Sequence, residues 1–212
     1  MADSVPQPMR PHGLAGRIFG VLMERTNRPA YERAASLIDL SPEGRFLEIG
    51  FGTGRLAEMM ASRATAGLVA GVDPSPLMVE TARRRLHHMG VRHELLEGTA
   101  EILPWPDASF DAAAALHSFQ FWPDPVAALT EIRRVLRPGG RLILILRNHG
   151  RRQLDWLPNP WSRTPNEIED ALTLLARTGF SAGRVRPDAG TSAVIVAAAA
   201  SDADQSAARK PI

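Results

Sequence analysis

A short segment reading FLEIGFGTG combines a carboxylate with three glycines at alternate positions. Glycine has no Cβ and adopts positive φ readily, so Gly50, Gly52 and Gly54 allow a sharp turn and a close approach to a ligand. Glu48 precedes the first glycine by two residues, and Asp73 follows the loop by about 20 residues, where a doubly wound fold presents a carboxylate to ribose hydroxyls. The pattern therefore predicts a site for a nucleotide-like cofactor.

The glycine spacing separates two classes of cofactor. Dinucleotide-binding loops carry glycines at the first, third and sixth positions. The sixth position here is Arg55, and the third glycine comes one residue early. A nicotinamide-dependent oxidoreductase shares the fold but is disfavoured by this arginine.

Strand-like and helix-like segments alternate around these residues, which predicts parallel βαβ units. The first predicted strand runs into the glycine loop, and further strands are predicted at Gly67–Val72, Val91–Glu97, Phe110–Leu116, Arg141–Leu146, Ser181–Arg186 and Ser192–Ala198. Helices are predicted to follow the loop and to begin at Ser75, Asp124 and Thr164, where a capping residue precedes a proline. A second N-terminal helix is predicted to open near Pro29.

Composition is typical of one globular domain, because the chain has 212 residues and 44% of them are hydrophobic. The absence of Cys excludes disulfides, thiolate metal sites and cysteine nucleophiles, and we predict no metal site. The 25 basic and 23 acidic residues nearly balance, so no nucleic-acid partner is expected. No apolar run reaches the ~20 residues of a membrane span, and no signal peptide is evident, which favours a cytoplasmic location.

A longer segment carries a specific resemblance. It spans residues 97–140 and reads EGTAEILPWPDASFDAAAALHSFQFWPDPVAALTEIRRVLRPGG. Together with the glycine loop, it resembles the ubiquinone-biosynthesis-type small-molecule methyltransferases of the class I S-adenosylmethionine-dependent group, over about residues 44–146. The resemblance implies an α/β, Rossmann-like, doubly wound, mostly parallel seven-stranded sheet with the last strand antiparallel, plus N-terminal lid helices.

The resemblance also implies S-adenosyl-L-methionine as cofactor and S-adenosyl-L-homocysteine as product. By position, Glu48 and the glycine loop would hold the methionine end, Asp73 the ribose, and Pro74 and Met78 the adenine. The cofactor-binding residues implied in this way are Glu48, Gly50, Phe51, Gly52, Gly54, Asp73, Pro74, Met78, Gly98, Thr99 and Ala100. Relatives commonly have an acidic residue where Thr99 stands, so the adenine contact differs here. A carboxylate at a strand end, such as Glu48, also serves as a helix cap.

Residues outside the common core are expected to select the methyl acceptor, a small organic molecule. His117 follows the fourth predicted strand and is the candidate to orient the cofactor or act as a base. The residues proposed to bind the acceptor are Phe19, Tyr31, Phe121, Trp156 and Trp161. The two tryptophans serve equally well to pack their linker against the sheet.

One methyltransferase domain is expected at 12–200. Within it we predict lid helices at 12–40, a cofactor-binding core at 41–147, an acceptor-side insert at 148–163 and a C-terminal helix and strand pair at 164–200. Residues 1–11 and 201–212 have the composition of disordered tails. A homodimer is the expected form of any self-association. A non-catalytic cofactor-binding regulatory or scaffold subunit is the alternative function.

Overall fold

A computed structural model provides the structure of the protein and describes residues 13–147, 163–181, 184–186 and 192–200. The two predicted tails and nearly all of the predicted insert at 148–163 lie outside the described residues. The chain forms two compact units, Met1–Thr99 and Ala100–Ile212.

The first unit alternates helices with parallel strands. Its elements are α1 (Gly13–Leu37), β1 (Arg45–Ile49), α2 (Arg55–Ala61), β2 (Leu68–Asp73), α3 (Pro76–Leu86) and β3 (Arg92–Glu97). The strand order is β3-β2-β1, with both pairs parallel. All six residues of β2 are buried, as expected for a central strand covered on both faces. The carboxyl ends of β1 and β2 therefore lie side by side and carry the glycine loop and Asp73.

Helix α1 differs from the prediction of two N-terminal helices, because it continues through Pro29 as one helix of 25 residues. Proline removes one backbone hydrogen bond, that to the carbonyl of Arg25. Packing on the C-terminal side compensates: Ala34, Ala35 and Ile38 are almost fully buried. Arg63 also donates to the carbonyl oxygens of Ala35 and Ile38, at 2.5 and 2.8 Å, and so caps the C-terminal end of the helix.

The second unit contains the remaining strands. Its elements are β4 (Phe110–Leu116), a 3-10 turn (Phe119–Phe121), α4 (Pro125–Val135), β5 (Leu136–Arg147), α5 (Pro165–Arg177), β6 (Arg184–Arg186) and β7 (Ser192–Ala198). The strand order is β4-β5-β7-β6. Strand β5 is parallel to β4, whereas β7 is antiparallel to both of its neighbours. The prediction of a Rossmann-like, mostly parallel α/β fold with an antiparallel last strand is confirmed.

Strand β5 begins earlier than predicted, directly after α4. Its pairing with β4 shifts register, from Phe110 opposite Leu136 to Ala112 opposite Arg141. The intervening RPGG residues form a bulge, in which Gly139 has a φ of 77°. The proline and glycines thus interrupt the strand pairing instead of separating the helix from the strand. Among the described helices, none is long and apolar enough to cross a membrane.

Candidate functional site

The glycine loop connects β1 to α2 and is fixed by short backbone hydrogen bonds. The Gly50 N–H donates to the Val72 carbonyl at 2.8 Å, and the Gly54 N–H donates to the Phe51 carbonyl at 2.9 Å. Gly50, Gly52 and Gly54 have φ values of 71°, 53° and 76°. All three lie in the left-handed region, which residues with a Cβ occupy only at a cost. The alternating glycines are therefore a requirement of this backbone.

Asp73, at the end of β2, is the centre of the first unit's candidate site. The Gly52 N–H donates to its Oδ2 at 2.8 Å, and the Ser75 N–H donates to its Oδ1 at 2.9 Å. Its backbone carbonyl accepts from the Gly98 N–H at 3.1 Å. The structure thus brings together three residues that the sequence analysis selected, Gly52, Asp73 and Gly98. The carboxylate joins the glycine loop to the start of α3.

Burial dominates the electrostatics of Asp73. The side chain is only 6% exposed. Burial raises the pKa of Asp73 to about 6, and the hydrogen bonds from Ser75 and Gly52 act in the opposite direction by stabilising the charged form. The group is mainly ionised at neutral pH, and each carboxylate oxygen keeps a lone pair beyond its backbone bond. It can therefore accept hydrogen bonds from a ligand.

The Glu48 carboxylate caps helix α2 and also has one buried oxygen available to a ligand. The Ala57 N–H in the first turn of α2 donates to its carboxylate, so Glu48 caps that helix, as the alternative reading of a strand-end carboxylate proposes. Its Oε2 is buried and has no hydrogen-bond partner among the described residues. Burial raises the pKa of Glu48 well above its usual value, and the charge of Asp73 adds to this effect. A donor on a ligand would satisfy this buried oxygen.

The other predicted cofactor residues have different surroundings. Phe51 is 1% exposed, and its ring lies where a Cβ on Gly71 would be, 2.7 Å from Cδ1. The Phe51 side chain is therefore part of the core, and only its backbone belongs to the loop. Met78 is also buried, Pro74 and Gly98 are half-buried, and Thr99 is exposed. Ala100 is buried in the second unit.

Tyr31 lies near the carboxylates of the first unit. Burial raises the pKa of Tyr31 above its usual value, and the negative charges of Glu48 and Glu24 raise it further. This environment links Tyr31 to the glycine loop, whereas the sequence analysis grouped it with acceptor-binding residues. Phe19 belongs to α1, but its side chain is not among those described.

Sequence reasoning missed a polar contact between α1 and the glycine loop. The Thr53 hydroxyl donates to Glu24 Oε2 at 2.8 Å, and Arg85 Nη2 donates to the same oxygen at 2.8 Å. The run from Arg83 to Arg85 reads as a solvated outer face, yet the Arg85 side chain is only 22% exposed. A signal was present, because Arg85 lies three residues after Ala82, on the buried stripe of α3.

His117 lies directly after β4 in the second unit, at the carboxyl end of the strand as predicted. The backbone N–H of His117 donates to the Ile145 carbonyl at 2.8 Å, and its backbone carbonyl accepts from Gln120 Nε2 at 2.6 Å. Its φ of 54° is unusual for a non-glycine residue. Burial, together with the charge of Arg147, lowers the pKa of His117 to about 4. The imidazole is therefore neutral at physiological pH.

The aromatic residues predicted to bind the acceptor are only partly described. Phe121 ends the 3-10 turn and is half-buried. Trp156 and Trp161 lie outside the described residues. Of the five predicted residues, only Tyr31 and Phe121 have described side chains, and they belong to different units. The acceptor-binding set stays a prediction.

The LPWPDASFD segment is held by one arginine of α4. Arg134 donates to the carbonyl oxygens of Trp105 and Leu103, at 2.8 and 3.0 Å. It also pairs with Asp107 and Glu131, at 2.8 and 2.7 Å. The pKa of Arg134 is raised by its hydrogen bonds to these carboxylates, and the bond to Glu131 has the larger effect. The loop is thereby fixed within the second unit, with the Trp105 ring edge-on to Phe110 at 5.4 Å.

Comparison with known families places these features in context. A family model described as a methyltransferase domain matches residues 47–144. Demethylmenaquinone methyltransferase of Thermus thermophilus is 40% identical over 113 residues, which are 53% of this chain and 51% of that protein. The 27-O-demethylrifamycin SV methyltransferase of Amycolatopsis mediterranei is 38% identical over 135 residues, which are 63% of this chain and 49% of that protein. The chain thus spans about half the length of these curated relatives.

Solved structures agree on the fold. An S-adenosylmethionine-dependent methyltransferase of Aquifex aeolicus superposes with a TM-score of 0.69 at 21% identity. The match covers 85% of this chain and 98% of that one. At this identity the likeness concerns the fold.

Proposed function

We propose that residues 47–144, which match a family model described as a methyltransferase domain, form a domain of the class I S-adenosylmethionine-dependent type, and that the protein methylates a small organic molecule. S-adenosyl-L-methionine is the methyl donor, S-adenosyl-L-homocysteine is the product, and the accepting atom is oxygen, nitrogen or carbon. The observation that carries the proposal is the hydrogen bond from the Gly52 N–H to Asp73. It places beside the glycine loop a carboxylate that can accept further hydrogen bonds.

The residues present fit this cofactor. An adenosyl group brings two ribose hydroxyls, and Asp73 retains acceptor capacity for them. The methionine end brings an ammonium group, and Glu48 has a buried Oε2 without a partner among the described residues. A Cβ added at Gly52 would meet nothing within 4 Å, so the backbone there has open space on that side.

When bound, the cofactor supplies an electrophilic methyl group on a sulfonium. The protein's own residues bind, orient and exclude water. Asp73 holds the ribose and Glu48 the methionine end, while Pro74, Met78 and Thr99 contribute to the adenine side. Alignment of donor and acceptor can supply about 7–11 kcal/mol of the barrier, so a strong base is not required.

His117 is proposed to orient the cofactor or to act as a base that takes a proton from the acceptor at an imidazole nitrogen. Support comes from its neutral state at physiological pH and from a buried Nδ1 that has no partner among the described residues. Turnover of His117→Ala that matches the unsubstituted enzyme at every pH would remove this role. Phe121 and, outside the described side chains, Phe19, Trp156 and Trp161 are proposed to contact the acceptor. Tyr31 is also proposed to line the acceptor pocket.

We also propose that residues 12–200 form a single domain with one continuous seven-stranded sheet. Helix α1 alone forms its N-terminal lid. We further propose that the protein forms a homodimer and is located in the cytoplasm.

Calorimetric titration of the protein with S-adenosylmethionine, S-adenosylhomocysteine and a nicotinamide dinucleotide tests the cofactor. We expect micromolar binding of the two adenosyl ligands, no binding of the dinucleotide, and loss of binding in Asp73→Ala. Asp170→Ala, an exposed substitution on α5, is the matched control and should bind normally. Preference for the dinucleotide would contradict the proposal in favour of an oxidoreductase. Adenosyl binding without turnover on any of a broad set of acceptors would favour a non-catalytic subunit.

A further inference from the structure

Helix α1 contacts the glycine loop along one stripe of its surface. Gly20 and Glu24 lie four residues apart on that stripe, and therefore on the same face of the helix. A Cβ at Gly20 would lie 3.2 Å from Thr53 Cγ2 and 3.5 Å from Met78 Cε. The helix backbone thus lies against the loop at this point. One turn later, Glu24 makes the polar contact.

Glu24 Oε2 accepts two hydrogen bonds from different elements. The Thr53 hydroxyl and Arg85 Nη2 both lie 2.8 Å away. The Glu24 and Arg85 side chains are 26% and 22% exposed, so the pair is more sheltered from solvent than an ordinary surface ion pair. Partial burial raises the pKa of Glu24, but the bonds from Arg85 and Thr53 and the charges of Arg85 and Arg55 outweigh it and lower the pKa overall. Glu24 is therefore ionised throughout the physiological range.

The contact reaches the loop between two residues that fix its shape. Thr53 is 8% exposed and lies between Gly52, which donates to Asp73, and Gly54, which precedes α2. Arg85 extends the network to α2, because its Nη1 lies 3.9 Å from Glu58 Oε2. Glu24 thus connects α1 to both the loop and α3 through hydrogen bonds.

We infer that Glu24 is a positioning residue that docks α1 on the glycine loop and couples the order of this helix to cofactor binding. This inference rests on the proposed function, since it deepens the same site. A ligand that fixes the loop stabilises the docked helix, and by linkage a docked helix strengthens binding of the ligand by the same factor. Glu24 acts through Thr53 and needs no contact with the cofactor itself.

Glu24→Ala tests the inference, with Glu32→Ala as the matched control on the same helix. Glu32 pairs with Arg28 at 2.8 Å, with side chains 56% and 76% exposed, so its loss should matter little. Both changes introduce the best helix former. We expect Glu24→Ala to bind S-adenosylhomocysteine about 10-fold more weakly, as for loss of charge-assisted hydrogen bonds. Glu32→Ala should stay within about twofold of the unsubstituted protein.

Hydrogen exchange of the α1 amides provides the readout that a merely structural role would not change. In the unsubstituted protein, saturating S-adenosylhomocysteine should slow exchange in α1. In Glu24→Ala at saturation, this protection should disappear while protection of the glycine loop persists. If ligand protects α1 equally in both proteins, or if their affinities agree within twofold, the inference is wrong.

Two further measurements distinguish failure of this inference from failure of the proposed function. Without ligand, Glu24→Ala should already accelerate exchange in α1 relative to Glu32→Ala, and equal exchange would overturn the inference whether or not the protein binds the cofactor. If the unsubstituted protein binds no adenosyl ligand, the proposed function fails instead. Thr53→Val removes the hydrogen bond to Glu24 from the loop side, so it should accelerate hydrogen exchange in α1. This variant tests the inference even if Glu24→Ala does not fold.

Discussion

The Gly52 N–H lies 2.8 Å from Asp73 Oδ2, so one carboxylate joins the turn of the glycine loop to the end of β2. The second oxygen of Asp73 accepts from the Ser75 N–H and so holds the start of α3. A change in the charge of Asp73 therefore affects the loop and the helix together. It would also affect any ligand that the two elements bind.

Cofactor affinity should fall as the pH is lowered through about 6. Burial raises the pKa of Asp73 to about 6, and protonation removes acceptor capacity that the ribose hydroxyls need. Calorimetric titration with S-adenosylhomocysteine between pH 5 and pH 8 measures the effect. Asp73→Asn should bind weakly and lose the part of this pH dependence that Asp73 causes, whereas any part due to Glu48 should remain.

The same shift has the opposite effect on the stability of the ligand-free protein. The folded pKa of Asp73 lies above its ordinary value of 3.8. Its contribution to stability is therefore complete below about pH 4 and is lost as the pH rises through about 6. Denaturant unfolding of the ligand-free protein and of Asp73→Asn at pH 4 and pH 7 measures this contribution. A stability contribution of Asp73 that is larger at pH 7 than at pH 4 would contradict the raised pKa.

Gly54→Ala should destabilise the protein more than Gly52→Ala. Both residues have positive φ, which costs a residue with a Cβ about 1–2 kcal/mol. At Gly54 the added Cβ would also lie 2.7 Å from Ala82 Cβ, whereas at Gly52 it meets nothing within 4 Å. Overpacking adds about 1–3 kcal/mol at Gly54 alone. Urea unfolding of the two variants measures the difference, and equal free energies of unfolding would show that the loop and α3 can separate freely.

Arg134→Met should destabilise the second unit by about 2–3 kcal/mol, because carbonyl and carboxylate acceptors lose charge-assisted hydrogen bonds. The affected acceptors include the carbonyl oxygens of Leu103 and Trp105. Arg84→Met is the control, since Arg84 pairs only at the surface with Glu80, with side chains 57% and 59% exposed. Thermal unfolding followed by tryptophan fluorescence compares them. If both variants melt alike, the arginine does not hold the LPWPDASFD loop.

His117→Asn should reduce the loss of stability at mildly acid pH. The folded pKa of His117 is lowered to about 4 from 6.5, so its contribution is present above about pH 6.5 and is lost as the pH falls towards 4. Between pH 7 and pH 4.5 the change is about 2–3 kcal/mol. Asn tolerates the left-handed backbone better than most residues. Denaturant unfolding at pH 7 and pH 4.5 tests this, and an unchanged difference between the two pH values would exclude the buried neutral imidazole.

The placement of the glycine loop and Asp73 after β1 and at the end of β2 could be predicted, because these residues are close in sequence to the element ends that position them. The caps at Ser75, Asp124 and Thr164 all accept from the following turn, as the sequence indicates. The bounds of β4 and β7 were also predicted correctly, although β4 contains four consecutive alanines with low strand propensity. Burial of all four in the sheet overrides that propensity.

Contacts between residues far apart in sequence could not be predicted. The pair of Glu24 and Arg85 is separated by 61 positions, and nothing in either local pattern selects the other. Continuity of α1 through Pro29 was missed for a similar reason. The local rule predicts a break, but the helix is maintained by burial of Ala34 and Ala35 and by the cap from Arg63, which lies outside the helix.

Pro29 divides α1 into two mechanically different arms. The C-terminal arm is held by hydrogen bonds from Arg63, whereas the N-terminal arm precedes Pro29, which donates no helical hydrogen bond. Glu24 lies next to Arg25, whose carbonyl oxygen loses its helical partner at Pro29. Bending of α1 at the proline would therefore alter the contact between Glu24 and Thr53 while the buried packing of Ala34 and Ala35 stays unchanged.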